Sequence, residues 1–191
     1  KITHTWKTET GISIKHIQTV ESVETGLRVS DEVTLPKQLD DVARVGINFE
    51  LNGGLDQLIY FGSGPFETAP DRSIGKIHRW SSSVADQYVP YVKPQENGGH
   101  VGVRWFTLTN QTNRGLYFQL DKPHMVTVSP MRSRDLAGAT HNVFVQPSGN
   151  TVVTIDAIHR GVGTASCGPD TLAKYRIKPG TYKWSWTVLT F

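Results

Sequence analysis

Val45-Gly46-Ile47-Asn48-Phe49-Glu50-Leu51 decides the fold class. Its apolar residues Val45, Ile47, Phe49 and Leu51 fall on alternate positions, while Arg44, Asn48 and Glu50 take the other phase. Successive side chains of a strand point to opposite faces, so a period of two marks a half-buried β-strand. The same pattern recurs outward from this stretch. Leu27-Val29-Asp31-Val33-Leu35 alternates with Arg28, Ser30, Glu32 and Thr34, and Leu116-Phe118-Leu120 alternates with Tyr117 and Gln119. Gly, Pro or Asn bounds each run. About ten strands are expected, near 12–19, 26–35, 44–51, 57–61, 101–109, 115–120, 124–129, 141–146, 151–158 and 173–189, the last broken at Pro179-Gly180. Residues 1–11 read as a connecting strand from something upstream.

Helix barely features. The candidates, 81–87 and 134–139, are too short for the crossover that parallel strands need, so the sheets are expected to be mainly antiparallel and stacked as a β-sandwich. A chain of 191 residues buries roughly 70% of its unfolded surface, enough for a single domain over 1–191 without staples. The stretch from Gly62 to Gly99 reads as one long irregular connection carrying Pro65, Pro70, Pro90 and Pro94 and the aromatics Phe66, Trp80, Tyr88 and Tyr91. Connections of that length are usually functional or packed by their own side chains. Trp184 and Trp186 alternate with Lys183 and Ser185 and read as core of the last strand.

The composition, 37% hydrophobic and 19% charged with 18 Gly and 10 Pro, excludes collagen and coiled coil. No apolar run approaches the roughly 18 residues of a membrane-spanning helix, so no membrane partner is expected. The net charge is +3, and the basic residues are spread along the chain with acids between them. That describes a mixed solvated surface, with no nucleic-acid partner expected. Cys167 is the one cysteine, which rules out an internal disulfide and fits a reducing, cytoplasmic setting.

Most catalytic signatures are absent: HExxH, CxxC, the Walker loop and GxSxG. Gly161-Val162-Gly163 has no following helix to take a phosphate and reads as a tight turn. His78, His141 and His159 are too scattered for metal ligands, and neither metal nor cofactor is expected. Cys167 lies in a glycine-rich loop, where packing outweighs a nucleophilic role. Asp71, Asp86, Glu96 and Asp156 are the carboxylates that glycoside hydrolysis could recruit. Those in the long connection are better read as holding backbone groups in place. Flat aromatic faces suit sugar rings, and Trp80, Tyr88 and Tyr91 are the candidates for such a platform.

Three motifs then point one way together. Tyr60-Phe61-Gly62-Ser63-Gly64-Pro65-Phe66-Glu67-Thr68-Ala69-Pro70-Asp71-Arg72 resembles the W-x-G-x-G-P-x-E-x-Y-x-D-R stretch of the C-terminal domain, called the small chain or domain 5, of glycoside hydrolase family 2 β-galactosidases. Tyr91-Val92-Lys93-Pro94-Gln95-Glu96-Asn97-Gly98 is similar to its Y-V-x-P-Q-E-N-G, followed by Val103-Arg104-Trp105. The run from Ile155 to Pro169 is similar to its glycine-rich loop.

The resemblance implies a β-supersandwich of the galactose-mutarotase-like kind, with part of the N-terminus missing. It implies a non-catalytic domain, because the catalytic glutamates of those enzymes lie in a (β/α)8 barrel. This domain completes the pocket for the galactoside, packs on that barrel and belongs to a parent expected to be a homo-oligomer. No catalytic residue is assigned to this chain, while Ser166 and Cys167 become the expected substrate contacts. Cys167 stands where some members place a tryptophan, Tyr60-Phe61 where Trp-Tyr is usual, and Thr68-Ala69 where an asparagine-tyrosine pair is usual. Two other functions stay open: a mutarotase using His159 and Glu96, and a free-standing carbohydrate-binding module.

Overall fold

A computed structural model describes residues 1–164 and 168–191. The described residues form ten strands: β1 (Ile2–Lys7), β2 (Ser13–Val23), β3 (Gly26–Leu35), β4 (Arg44–Leu51), β5 (Gln57–Gly64), β6 (Lys76–Ser83), β7 (Gly99–Thr109), β8 (Gly115–Ser129), β9 (Thr151–His159) and β10 (Gly180–Thr190). One short helix, α1 (Ser133–Gly138), lies between β8 and β9. Every strand pairing is antiparallel. The chain is thus all-β and antiparallel, as the period of two predicts.

The two layers are not two separate sheets. Hydrogen bonds run unbroken along the order β1-β2-β3-β10-β8-β7-β5-β6, and β9 with β4 branch from β8. The branch point is inside β8. Leu116–Leu120 pairs with β10, whereas Met125–Ser129 pairs with β9. Between these halves stand Asp121, Lys122, Pro123 and His124. Proline has no N–H to donate to a ladder, so the strand can change neighbours there. The β7 partner continues along both halves, with register shifts between His100 and Val103 and between Val103 and Trp105.

The diverging branches fold toward each other and bury their apolar phases between them. Phe49 of β4 stacks on Trp186 of β10 with ring centroids 5.3 Å apart, and Phe106 stacks on Phe118 at 4.4 Å. Leu58, Leu108, Val153, Ile155, Trp184 and Ile177 complete the core. The phases read from β4 and β8 hold: Val45, Phe118 and Leu120 are buried, and Asn48 and Glu50 are exposed. Asp31 occupies an apolar phase of β3 and is nonetheless buried. One of its oxygens accepts from His16 Nε2 at 2.8 Å and Gln18 Nε2 at 2.9 Å on β2.

Several expectations need correction. Residues 2–7 form β1, in a hairpin with β2 around the Thr8–Ile12 turn. The long connection contains β6, which pairs along the whole of β5 and leaves two irregular pieces, 65–75 and 84–98. Residues 115–120 and 124–129 are one strand. The expected helix at 81–87 is a 3-10 turn over Ala85–Gln87, while the one expected at 134–139 is α1. The expected strand at 141–146 is a 3-10 turn over Asn142–Phe144 whose Val143 and Phe144 are exposed. Its consecutive apolar residues Val143, Phe144 and Val145 pair with no strand among the described residues, so nothing holds the segment extended. Residues 173–175 are likewise a 3-10 turn, and β10 begins only at Gly180.

Candidate functional site

Both irregular pieces of the long connection close over one end of the sheet. With the end of β9 they line a cavity of about 330 Å³. Glu67–Ala69 with Arg72 and Gln95-Glu96-Asn97 approach it from one side, Arg44 and His159 from the paired ends of β4 and β9, and Val162–Thr164 from the glycine-rich loop.

Arg44 is the hub of the first wall. Its guanidinium donates to the Glu96 carboxylate and, at 3.4 Å, to His159 Nε2. It also stands 3.8 Å from Oδ1 of Asp156. The His159 Nδ1–H donates to the carbonyl of Arg160 at 2.5 Å, which leaves Nε2 as the acceptor toward Arg44. Burial and the adjacent guanidinium hold His159 below the usual histidine range, so its ring is neutral at pH 7. Asp156 is buried behind Arg44, and neither of its oxygens has a hydrogen-bond partner. Burial pushes its carboxyl up to about 7 against the pull of Arg44. Gly46 faces it across the ladder, and a Cβ there would meet Asp156 Oδ1 at 2.4 Å.

The second wall is built on Glu67. Its carboxylate accepts from the Tyr91 hydroxyl, from the Gly98 N–H at 2.8 Å and from Arg72 at 2.6 Å. Partial burial would raise its pKa, but these donors outweigh burial and hold it low. Asn97 shapes the segment bearing Glu96: its side-chain oxygen accepts from Val89 N–H at 2.8 Å, and its amide donates to the Gln95 carbonyl at 2.9 Å.

The glycine-rich loop is held at its neck. Asp71 takes the N–H groups of Val162 at 2.9 Å and Gly163 at 2.8 Å, one on each carboxylate oxygen. Gly163 sits at φ +61°, a conformation that favours glycine. Thr164 N–H donates to the Pro169 carbonyl at 3.1 Å, and Gly168 N–H to the Thr164 carbonyl at 2.6 Å. Arg160, just before the loop, forks onto Asp41 at 2.6 Å, Asp170 at 2.9 Å and Thr171 at 2.7 Å, the last two lying just after it. Ser166 and Cys167, the expected substrate contacts, lie outside the described residues.

The structure therefore gathers Glu96, His159 and Tyr91 at one cavity, with Asp156 behind it and Asp71 at its rim. Asp86 is elsewhere, exchanging hydrogen bonds with Ser83. Trp80 donates to the Gly62 carbonyl and packs on the core, and Tyr88 bonds Asn142, so neither joins Tyr91 in a platform. His78 lies edge-on to Trp80, and His141 beside Phe144. Sequence reasoning missed Arg44 and Glu67. Arg44 looks like any outward charge of an alternating strand, and only the β4–β9 pairing sets it beside His159 and Asp156. Among the described residues, no group of three or more His, Cys, Asp or Glu is placed to hold a metal ion, and no helix is long and apolar enough to cross a membrane.

Comparison with known proteins supplies the context. The family described as beta galactosidase small chain matches residues 1–188. A beta-galactosidase of Actinobacillus pleuropneumoniae is 29% identical over 149 residues, which cover 78% of this chain and 14% of that protein. One from Leuconostoc mesenteroides subsp. mesenteroides is 29% identical over 147 residues, 76% of this chain and 14% of that protein. The chain thus spans about 14% of the length of these relatives. A crystal structure of a candidate aldose 1-epimerase from Escherichia coli K12 superimposes with a TM-score of 0.46 at 11% identity, covering 98% of this chain and 64% of that one. With the family matched over all but its last three residues, the chain belongs to the beta-galactosidase small-chain family.

Proposed function

We propose that this chain, as one domain over residues 1–191, is the non-catalytic terminal part of a cytoplasmic β-galactosidase. It completes the galactoside pocket of the parent enzyme and packs on the parent's catalytic barrel, in an enzyme that assembles from identical subunits. The observation that carries this reading is the anchored neck of the glycine-rich loop. Asp71 and Arg160 fix both roots of the segment bearing Ser166 and Cys167, as suits a loop presented to a site outside this chain. The family match and the names of the relatives agree with it.

The role is positional. A wall that orients a sugar and excludes water raises the rate without supplying acid or base. The test compares the full-length parent, the parent cut before this domain, and the isolated chain on a chromogenic β-galactoside. The full-length enzyme is expected to turn over, the truncated enzyme to lose most of its kcat/KM, and the isolated chain to be inactive. Hydrolysis by the isolated chain, or an unimpaired truncated enzyme, would overturn the reading.

A further inference from the structure

β1 is an edge strand that buries none of its side chains. All six of its residues are exposed, and among the described residues it pairs with β2 alone. Backbone hydrogen bonds on one side are what hold such a strand, and its other side is left open. The hairpin nevertheless brings two imidazoles together. In the β1–β2 register His4 stands directly opposite His16, so both rings project from the same face. The rings stack with centroids 5.8 Å apart, and Trp6, two residues along β1, lies 5.8 Å from His4.

His16 is oriented from behind. Its Nε2–H donates to Oδ1 of the buried Asp31 at 2.8 Å, and Gln18 Nε2 donates to the same oxygen at 2.9 Å. With Nε2 as the donor, the lone pair of the neutral ring lies on Nδ1, which makes no hydrogen bond among the described residues. Metal-ligating histidines adopt this arrangement: one ring nitrogen donates to a carboxylate, which fixes the tautomer and raises the basicity of the other. His4 is exposed, so its ring is free to turn toward a shared ligand. A cation bound by both rings needs their facing nitrogens within the roughly 4 Å spanned by two metal–nitrogen bonds of about 2.0–2.1 Å. Ring nitrogens lie outside their centroids, and a centroid separation of 5.8 Å therefore allows that spacing. The groove between this hairpin and β4, about 400 Å³ and lined by Trp6, His16 and Asn48, leaves room for water at the remaining positions. Arg44 on the β4 wall has Glu96 as its counter-ion, which offsets its repulsion of a cation. Two imidazole nitrogens select zinc or copper over magnesium and calcium, which take oxygen ligands.

We propose that His4 and His16 are the two protein ligands of a site for a divalent cation of the zinc and copper class, completed by water, and that the bound cation clips β1 to β2. Asp31 is a positioning residue, touching His16 and not the ion. Binding at this hairpin neither requires nor excludes a role for the chain in the parent's reaction. The test is a calorimetric titration of the 191-residue chain with ZnCl2, with MgCl2 as the control and amide hydrogen exchange read in parallel. One zinc ion per chain is expected at a Kd of roughly 10–100 μM, weaker than a closed four-ligand site, with no saturable magnesium binding. At a free zinc concentration about ten times Kd, exchange at the β1 amides is expected to slow about tenfold. His4→Gln and His16→Gln are each expected to weaken zinc binding at least about tenfold and to abolish the added protection, whereas His78→Gln on β6 leaves both unchanged. Asp31→Asn is expected to lower zinc affinity roughly tenfold in a chain that keeps dispersed, folded spectra. A folded chain with no saturable zinc site would overturn the proposal. So would zinc binding that survives both His4→Gln and His16→Gln, or zinc that binds without slowing exchange in β1.

Discussion

Asp156 is a carboxyl held almost wholly out of water. Its ordinary value is 3.8, and burial raises it to about 7 even with Arg44 beside it, Glu96 adding to the rise. Because the folded pKa lies above the unfolded one, the folded chain keeps a proton between about pH 4 and 7 that the unfolded chain has lost. The stability linked to that proton is complete below about pH 4 and disappears as pH rises through 7. Asp156→Asn keeps the shape without titrating. Its stability relative to the unaltered chain is expected to improve with pH across this window, by up to about 1.4 kcal/mol per pH unit in urea unfolding series. A difference constant with pH would contradict the assignment. At Asp71 the expected effect is on function. In the full-length parent, Asp71→Ala frees the Val162 and Gly163 N–H groups and should lower kcat/KM roughly tenfold to a hundredfold by loosening the loop neck, with the melting temperature moved by only a few degrees. A collapse in stability with normal kinetics per folded enzyme would show that Asp71 serves the fold alone.

At the scale of elements, the pinned turns decide what can face the cavity. His100 at the start of β7 is buried, and burial holds it down at about 4, so its ring is neutral. It bonds the Ser63 carbonyl at 3.0 Å, the Tyr60 hydroxyl at 3.1 Å and the Gln87 side chain at 2.5 Å, joining β5, β7 and the turn after β6. Removing the ring strands buried partners on all three. His100→Ala is therefore expected to cost roughly 2–3 kcal/mol in denaturant unfolding. A cost below about 0.5 kcal/mol, the size expected of an ordinary surface change, would mean that the network holds nothing. The hairpin of β5 with β6 was not legible in the chain because Lys76-Ile77-His78-Arg79-Trp80 carries no clean alternation, and four of these five residues are exposed. An edge strand with little to bury leaves little periodicity. Residues 142–146 mislead for the opposite reason: Val143, Phe144 and Val145 have the apolar content of a strand, but no described strand pairs with them.

The whole molecule depends on the closure of its two branches. Phe49 against Trp186 is the contact between the branch that carries Arg44 and the one that ends the chain. Phe49→Ala is expected to destabilise the fold by about 3 kcal/mol, and a double-mutant cycle with Trp186→Phe to show coupling of at least about 0.5 kcal/mol. Additive effects would mean that this stacked pair does not carry the closure. The sequence by itself determined the class of fold, most strand positions and the kinship, because alternation and turn residues are local properties and the three motifs are contiguous runs. It also singled out Glu96, His159 and Tyr91 without showing that they share one cavity, and Asp71 without showing that it holds the loop beside it. Only the tertiary structure decided that, because the residues come from five stretches between 44 and 164. Which of them meet depends on β8 changing partners near Pro123 and on β9 pairing with β4. Those are long-range pairings, and their choice is settled by packing of the whole core rather than by any local pattern.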